Sequence, residues 1–498
     1  MNVNPITRLD YPDPDVIRVE DTYYMVSTTM HFMPGCEILQ SFDLVHWEHV
    51  TYVYETLDHT DAQQLKSGQN IYGQGMWAAS LRYHEGRFCI CFVANDTRKT
   101  YLYTSEKIDG PWKKQLIEGF YHDGSLLFDE DGRNYIVYGN DEIWITELNE
   151  DLTAPKKDGL HRLLVSDHKN PELGYEGSHI QKINGYYYIF LVHSLRDRWM
   201  RTEACFYSDS LEGEFTGGDV LCDDRGYCGQ GVAQGGIVDT PDGKWYAILF
   251  QDSGAVGRIP ILLPVTWKDH FPFFGQNGHV PEEIEVHSTR PGYIYQPLVG
   301  SDDFCNGLLP RWQFNHDPDP RYYHLDALQG TYTITTREVC TELTQAVNTL
   351  TQRMSYPSCA AEVTVDASAL KEGDVAGLCA LQSCYAAVGI TKHHGKYEVL
   401  MLDKKEDGIL DMTEGTVVES HQMDFRLEAD FCNMKDEARC YYRVNKGDWL
   451  PIGTVHKLYF KLDHFTGCRF GLFCYAAEET GGSACFRDFK YYDVDEIS

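Results

Sequence analysis

Residues 175–190 read YEGSHIQKINGYYYIF, and this stretch decides how the first part of the chain folds. Two runs suited to β-strands flank Asn184-Gly185, which is the strongest short-range sequence signal for a β-hairpin. The same turn-and-strand unit begins at four further positions, namely Asp21, Glu85, Asp131 and Asp242. Turns at residues 21, 85, 131, 184 and 242 are spaced as in four-stranded blades that carry loop insertions. We therefore predict an all-β fold that begins with a five-bladed β-propeller.

The blade rhythm ends near residue 300. Beyond that point the sequence has short alternating strands separated by turn residues, a pattern typical of an antiparallel β-sandwich. The predicted domains are therefore a propeller over residues 1–300 and a sandwich over residues 301–498. Acids of the second domain follow no shared spacing, so the sequence predicts no catalytic role for it.

Composition limits the classes of partner. The chain has 75 acidic and 43 basic residues and a formal net charge of −32, so we expect neither nucleic acid nor an anionic membrane as a partner. The N-terminus lacks the basic and apolar regions of a signal peptide, and no apolar run of about 18 residues occurs, so a cytoplasmic location is expected. The sequence does not indicate an oligomeric state.

Eight residues before each turn lies a residue of the innermost strand. These residues are Asp13, Trp77, Asp123, Glu176 and Gln234. Inner strands of a propeller line its central channel, so an identical offset predicts that the five side chains converge at one mouth of the channel. Three of them are carboxylic acids. The alternative is that they are solvated loop acids, but the prolines around Asp13 and the presence of Trp77 favour a functional cluster.

Three clustered carboxylic acids suit the cleavage of an acetal. One acid is protonated and donates to the leaving oxygen, one is ionised and activates water, and the third modulates the first by its charge. The sequence contains no GxSxG elbow, HExxH motif, Walker loop or dinucleotide fingerprint for a competing chemistry. Arg258 follows two glycines, and it either aims a cation at the channel mouth or pairs with an acid as a structural residue.

Four motifs resemble those of glycoside hydrolase family 43. They are Tyr11-Pro12-Asp13-Pro14-Asp15, His122-Asp123-Gly124-Ser125, Tyr175-Glu176-Gly177-Ser178-His179 and Gly257-Arg258. The resemblance implies a five-bladed propeller that hydrolyses glycosides with inversion. The segment from Asp302 to His316 is similar to the start of the concanavalin-like sandwich of the xylosidase and arabinofuranosidase members.

The resemblance also implies individual roles. Asp13 would be the general base, Glu176 the general acid and Asp123 the residue that modulates and orients that acid. Sugar-binding roles fall to Arg258, Trp77 and Phe32, while Gln234 would form hydrogen bonds in the channel. Ala233 stands where related sequences often have a histidine associated with a channel calcium. We therefore expect no required cofactor and no metal, with a channel Ca²⁺ as the alternative.

The function implied is an exo-acting, inverting hydrolase that releases terminal α-L-arabinofuranosyl or β-D-xylosyl residues. Its substrate would be a small oligosaccharide derived from arabinoxylan. Two alternatives stay open at this point: an endo-arabinanase of the same family, and a carbohydrate-binding propeller without catalysis.

Overall fold

The computed structural model describes residues 3–493. Within that range, five antiparallel sheets of four strands each follow one another along the chain, and two larger sheets follow them. The prediction of an all-β protein with a five-bladed propeller and a C-terminal β-sandwich is confirmed.

Each blade is a four-stranded meander. The first contains β1 (Asp15–Val19), β2 (Thr22–Ser27), β4 (Gly35–Ser41) and β5 (Glu48–Tyr54), with the short β3 (Phe32–Met33) leaving it. The second contains β6 (Met76–His84), β7 (Arg87–Ala94), β8 (Lys99–Ser105) and β9 (Lys113–Ile117). The third contains β10 (Ser125–Phe128), β11 (Asn134–Asn140), β12 (Glu142–Leu148) and β13 (His161–Ser166). The fourth contains β14 (Glu176–Ile183), β15 (Tyr186–Ser194), β16 (Arg201–Ser208) and β17 (Thr216–Leu221). The fifth contains β18 (Ala233–Asp239), β19 (Trp245–Asp252), β20 (Arg258–Lys268) and β21 (Phe271–Phe274).

The second strand of a blade is buried on both faces, because neighbouring blades pack against it. This burial explains the nearly continuous apolar and aromatic runs in β7 and β15, of which all but the first residue is buried. The innermost strands are β1, β6, β10, β14 and β18, and β1 packs beside β18 to close the ring.

Asp15 ties several blades together inside the channel. Its Oδ2 accepts hydrogen bonds from the backbone N–H of Leu81 at 2.8 Å and from Arg82 Nη1 at 2.7 Å, and its Oδ1 lies 3.0 Å from His179 Nδ1. Burial alone would raise the pKa of Asp15, but Arg82 and His179 overcome that effect and lower it to about 2. Arg82 continues the network with a 2.7 Å hydrogen bond to Ser125 Oγ. A buried ionic network therefore links the innermost strands of several blades.

The sandwich consists of two antiparallel sheets. One runs in the order β3-β22-β25-β35-β27-β28-β29-β30, with β31 also paired to β29. Its strands from this domain are β22 (Gln313–Asn315), β25 (Leu350–Arg353), β27 (Asp374–Leu381), β28 (Ala386–His393), β29 (Lys396–Lys404), β30 (Leu410–Met412), β31 (Thr416–Val418) and β35 (Arg469–Ala476). The other runs β23-β24-β36-β26-β32-β33-β34. Its strands are β23 (Tyr323–Asp326), β24 (Thr331–Thr335), β26 (Ser358–Asp366), β32 (Gln422–Asp430), β33 (Glu437–Val444), β34 (Leu450–Lys457) and β36 (Ser483–Asp493).

The two domains share a sheet. Strand β3 of the first blade pairs with β22, so that Phe32 lies opposite Asn315 and extends the sandwich sheet. The segment between β21 and β22 returns along the first blade, where the Gln296 N–H donates to Glu48 at 2.9 Å. The domain boundary at residue 300 stays a prediction, because the connecting segment packs against the propeller.

Helical structure is sparse. The structure contains short 3₁₀ helices at Lys66–Gly68, Gly254–Val256, Leu343–Gln345 and Cys432–Met434. No helix within residues 3–493 has the length and apolar character needed to cross a bilayer. The sixteen cysteines all lie in that range as free thiols, and most of them are buried.

Candidate active site

A left-handed backbone residue marks the same point at the head of every blade. The residues and their φ values are Asp13 (51°), Ala78 (22°), Asp123 (47°), Gly177 (65°) and Gln234 (60°). The equivalence inferred from the turns is therefore correct for three blades but off by one residue in the second and fourth, where Trp77 and Glu176 precede the marked position. The cause is the position of the recognised residue within its turn. Asp21 is the second residue of the turn at 20–21, whereas Glu85 and Asn184 are the first residues of the turns at 85–86 and 184–185.

Asp13 is a buried carboxylate with both oxygens bound. Its Oδ2 accepts a hydrogen bond from Thr28 Oγ1 at 2.6 Å, and its Oδ1 accepts one from Arg258 Nη1 at 2.9 Å. The contact with the guanidinium is a charge-assisted hydrogen bond that fixes the Asp13 carboxylate in place, and a carboxylate is the form that can take a proton from water. Both roles predicted for Arg258 therefore apply. It pairs with an acid, and it also lines a cavity beside Glu176.

Glu176 begins β14 on the fourth blade and is held at one oxygen. Asn140 Nδ2 donates to its Oε2 at 2.9 Å, and His122 Nε2 lies 3.4 Å from the same oxygen. No sequence pattern predicts the contact between Asn140 and Glu176. His122 entered the sequence analysis only as the neighbour of Asp123 in its motif.

Asp123 lies beside Glu176 and accepts a hydrogen bond from the backbone of the next residue, Gly177. The N–H of Gly177 donates to Asp123 Oδ2 at 2.9 Å, and His122 Nε2 is 3.5 Å from the same oxygen. Burial raises the pKa of Asp123 to about 6, assisted by the charges of Glu176 and Asp13, although His122 and the Gly177 N–H oppose the rise. Burial disfavours a charge on His122, but these carboxylates overcome it and raise its pKa to about 9. His122 is therefore a cation near neutral pH, and Asp123 keeps its proton to a higher pH than an ordinary aspartate.

A second arginine lies behind Arg258. Arg201 forms an ion pair with Asp252, whose Oδ1 is 3.4 Å from Arg258 Nε. Burial and the neighbouring Arg258 lower the pKa of Arg201 to about 9. Asp252 thus sits between the two guanidinium groups and helps to position Arg258. The sequence gives no periodic signal for this pair, because both residues lie outside the innermost strands.

A cavity of about 620 Å³ opens from Glu176 and Arg258. Both domains line it, and the sandwich contributes apolar side chains, namely Met434, Phe460, Leu462 and Phe465. The ring of Phe465 lies 5.3 Å from that of Trp77, and the guanidinium carbon of Arg258 lies 4.4 Å from the Phe465 ring centre. Although the sequence predicted no catalytic role for the sandwich, the structure gives it a wall of the cavity that contains Glu176.

Two of the three remaining predicted residues, Trp77 and Gln234, lie close to the acids. Trp77 contacts His122 and Phe465 at the mouth, with ring centres 6.1 Å and 5.3 Å away. Gln234 is buried beside Gly177, and its backbone N–H donates to Glu203 at 2.7 Å. Both therefore lie with the acids.

Phe32 does not line the cavity, and its assignment to the sugar pocket is corrected. Its side chain is fully buried among sandwich residues, and the Arg469 guanidinium carbon lies 3.4 Å from its ring centre. The reason is that β3 leaves the first blade and pairs with β22.

Metal ligands near the channel are few. In the part of the chain that the structure describes, one group of possible ligands has its atoms within 4.8 Å of one another: His122, Asp123 and Glu176. Their mutual contacts already account for this arrangement. At the fifth blade Ala233 has no ligand atom, so this position does not fit a calcium site that depends on a histidine there.

Comparison with known proteins identifies the propeller. A family model described as glycosyl hydrolases family 43 matches residues 3–272, more than half of the chain. The chain belongs to glycosyl hydrolases family 43. A second model, the beta-xylosidase C-terminal concanavalin A-like domain, matches residues 301–492. The protein is therefore a family 43 glycoside hydrolase of the xylosidase and arabinofuranosidase group.

Relatives in family 43 carry both kinds of name. A beta-xylosidase of Formosa agariphila is 26% identical over 99% of this chain and 89% of its own length. A non-reducing end alpha-L-arabinofuranosidase of Bacteroides ovatus is 24% identical over 82% of this chain and 79% of its own. A solved structure described as a bifunctional GH43-CE from Bacteroides eggerthii is 42% identical, with a TM-score of 0.92 over 98% of this chain. This chain spans 63% of that longer chain.

Proposed function

We propose that this protein is an exo-acting, inverting glycosidase that removes terminal α-L-arabinofuranosyl or β-D-xylosyl residues from arabinoxylan-derived oligosaccharides. The observation that carries the proposal is the pairing of a fixed carboxylate with a cavity-lining acid on non-adjacent blades. Asp13 on the first blade is bound at both oxygens, whereas Glu176 on the fourth blade lines the cavity and is held at one oxygen.

In the proposed reaction Asp13 takes a proton from a water molecule whose oxygen attacks the anomeric carbon. The bond from that carbon to the leaving oxygen breaks, and Glu176 donates its proton to that oxygen. One proton enters at Asp13 and one leaves from Glu176, so the protein keeps its total charge through the step. Asp123 fixes the backbone beside Glu176 through the Gly177 N–H. Arg258 holds the Asp13 carboxylate in position through its hydrogen bond to Oδ1.

The shape of the cavity indicates where the leaving sugar would bind. A general acid faces the leaving oxygen, so the leaving sugar lies on the side of Glu176. From there the cavity reaches Trp199, whose exposed fraction is 44%, and Leu462, whose exposed fraction is 76%. Exposed apolar side chains of this kind suit the C–H face of a sugar ring.

The exo assignment is supported by the closed side of the cavity. Phe465 lies against Trp77 and Arg258, so the sandwich covers the mouth where a continuous polysaccharide groove would otherwise run. An endo-arabinanase needs an open groove, and the sandwich loop disfavours that alternative. All three acids lie together, which disfavours a binding propeller without catalysis.

The deciding experiment compares nitrophenyl α-L-arabinofuranoside and nitrophenyl β-D-xyloside with the wild type and Glu176→Ala. We expect release of at least one pentose by the wild type and a large loss in natural oligosaccharide turnover for the variant, which retains binding. Release of neither pentose, or full activity of Glu176→Ala, would contradict the proposal. The sizes of the products from linear arabinan distinguish exo cleavage from endo cleavage, because an exo enzyme yields only the monosaccharide.

We also propose a cytoplasmic location, where the substrates would be short imported oligosaccharides, and catalysis without a metal. The test of the second point is dialysis against a chelator. Activity that is lost on chelation and restored by Ca²⁺ would contradict it.

A further inference from the structure

We propose that His122 and Asn140 are positioning residues that determine which oxygen of Glu176 carries the catalytic proton. The inference rests on the proposed role of Glu176 as general acid. Both residues act through their contacts with Oε2 of Glu176.

Both side chains donate to the same oxygen. Asn140 Nδ2 is 2.9 Å and His122 Nε2 is 3.4 Å from Oε2 of Glu176. Within residues 3–493 no hydrogen-bond donor reaches Oε1 of Glu176. A protonated carboxyl group has one carbonyl oxygen, which accepts hydrogen bonds, and one hydroxyl oxygen, which donates. Two donors at Oε2 make it the carbonyl oxygen, so the proton resides on Oε1.

The two donors form one rigid unit on the third blade. The backbone N–H of Gly139, next to Asn140, donates to the carbonyl oxygen of His122 at 3.0 Å. The imidazole packs edge-on against Trp77 with ring centres 6.1 Å apart, and its Nε2 is also 3.5 Å from Asp123. A ring held between two carboxylates and an indole has little freedom to turn away. It keeps a proton at Nε2 because the surrounding negative charge raises its pKa to about 9.

Fixing the proton at Oε1 matters when the leaving group needs it. Without the donors, the proton of Glu176 distributes over both oxygens and the carboxyl group rotates, so fewer encounters place O–H against the leaving oxygen. A leaving group that departs as a stable anion needs little proton donation. The two residues should therefore affect poor leaving groups far more than good ones.

The test uses His122→Phe, which retains a ring against Trp77 but removes the donor, and Asn140→Leu, which removes the amide at similar volume. His324→Phe, at an exposed position on β23, is the matched control. For each protein, kcat and KM are measured on aryl pentosides that span a range of leaving-phenol acidity and on a natural disaccharide. Melting temperatures verify folding.

On the disaccharide, loss of the charge-assisted bond from His122 predicts a decrease in kcat of about 10- to 100-fold, and loss of the neutral bond from Asn140 a decrease of about 2- to 10-fold. On the dinitrophenyl pentoside the change should be below roughly threefold, with KM little altered and the control unchanged. An equal loss on every leaving group in a folded variant would overturn the inference, as would no loss on the disaccharide. These outcomes are distinct from failure of the proposed function, in which the wild type itself would release no pentose.

Discussion

Replacement of Phe465 by alanine tests whether the sandwich completes the catalytic cavity. The ring packs at 5.3 Å against Trp77 and at 4.4 Å from the guanidinium carbon of Arg258. An aromatic pair contributes about 0.5–1.5 kcal/mol and a cation–π contact about 0.5–2 kcal/mol, so the two together contribute about 1–3.5 kcal/mol. If this energy positions Arg258 and Trp77 in the transition state, its loss lowers kcat/KM by about 5- to 400-fold.

The assay is kcat/KM on the better nitrophenyl pentoside, measured together with the melting temperature. The matched control is Phe273→Ala, an aromatic residue on the fifth blade with an exposed fraction of 50%. We expect a loss of activity for the Phe465 variant alone. Equal kcat/KM for Phe465→Ala and wild type would refute the reasoning, because the sandwich would then have no part in the reaction.

Three further predictions concern the residues around the acids. Asp15→Asn should cost about 3–5 kcal/mol in the free energy of unfolding. In the wild type, the contribution of Asp15 to the free energy of unfolding is complete above the ordinary aspartate pKa of 3.8 and declines as pH falls toward 2. Urea unfolding measured at a series of pH values detects this decline. The pKa of Asp123, raised to about 6, predicts that kcat/KM falls above about pH 6 as the acid pair loses its proton, and a plateau to pH 8 would contradict this. Gly177→Ala places a Cβ 2.6 Å from Gln234 Cγ and should lower kcat at least roughly 100-fold, whereas Gly185→Ala, with open space at its turn, should not.

Much of the architecture could be predicted because it repeats. Each hairpin carries its own turn residues, so five similar turns give the number of blades without any knowledge of long-range contacts. The same repetition located Asp13, Asp123 and Gln234 at equivalent points. It missed by one residue at Glu176, because the recognised turn residue is the second of the turn in the first blade (Asp21) but the first of the turn in the fourth (Asn184).

Residues that act across the repeat could not be found in this way. Asn140 reaches Glu176 from the neighbouring blade, and Asp252 reaches Arg258 from the adjacent strand of the same blade. Phe465 approaches from the other domain, about two hundred residues farther along the chain than Arg258. Such contacts depend on how blades and domains pack. The same limit explains the wrong assignment of Phe32. Its position in the sequence suggested the sugar pocket, but its strand pairs with the sandwich sheet.

The configuration of the first sugar released tests the central claim most directly, namely that Asp13 activates water opposite Glu176. Proton NMR recorded in the first minutes of hydrolysis of a β-D-xyloside, or of an α-L-arabinofuranoside if that is the better substrate, distinguishes the two anomers before they interconvert. Our account predicts that the product first appears with the configuration opposite to that of the substrate. First appearance of the same configuration would contradict it, because retention requires a covalent intermediate and a nucleophile in place of the base.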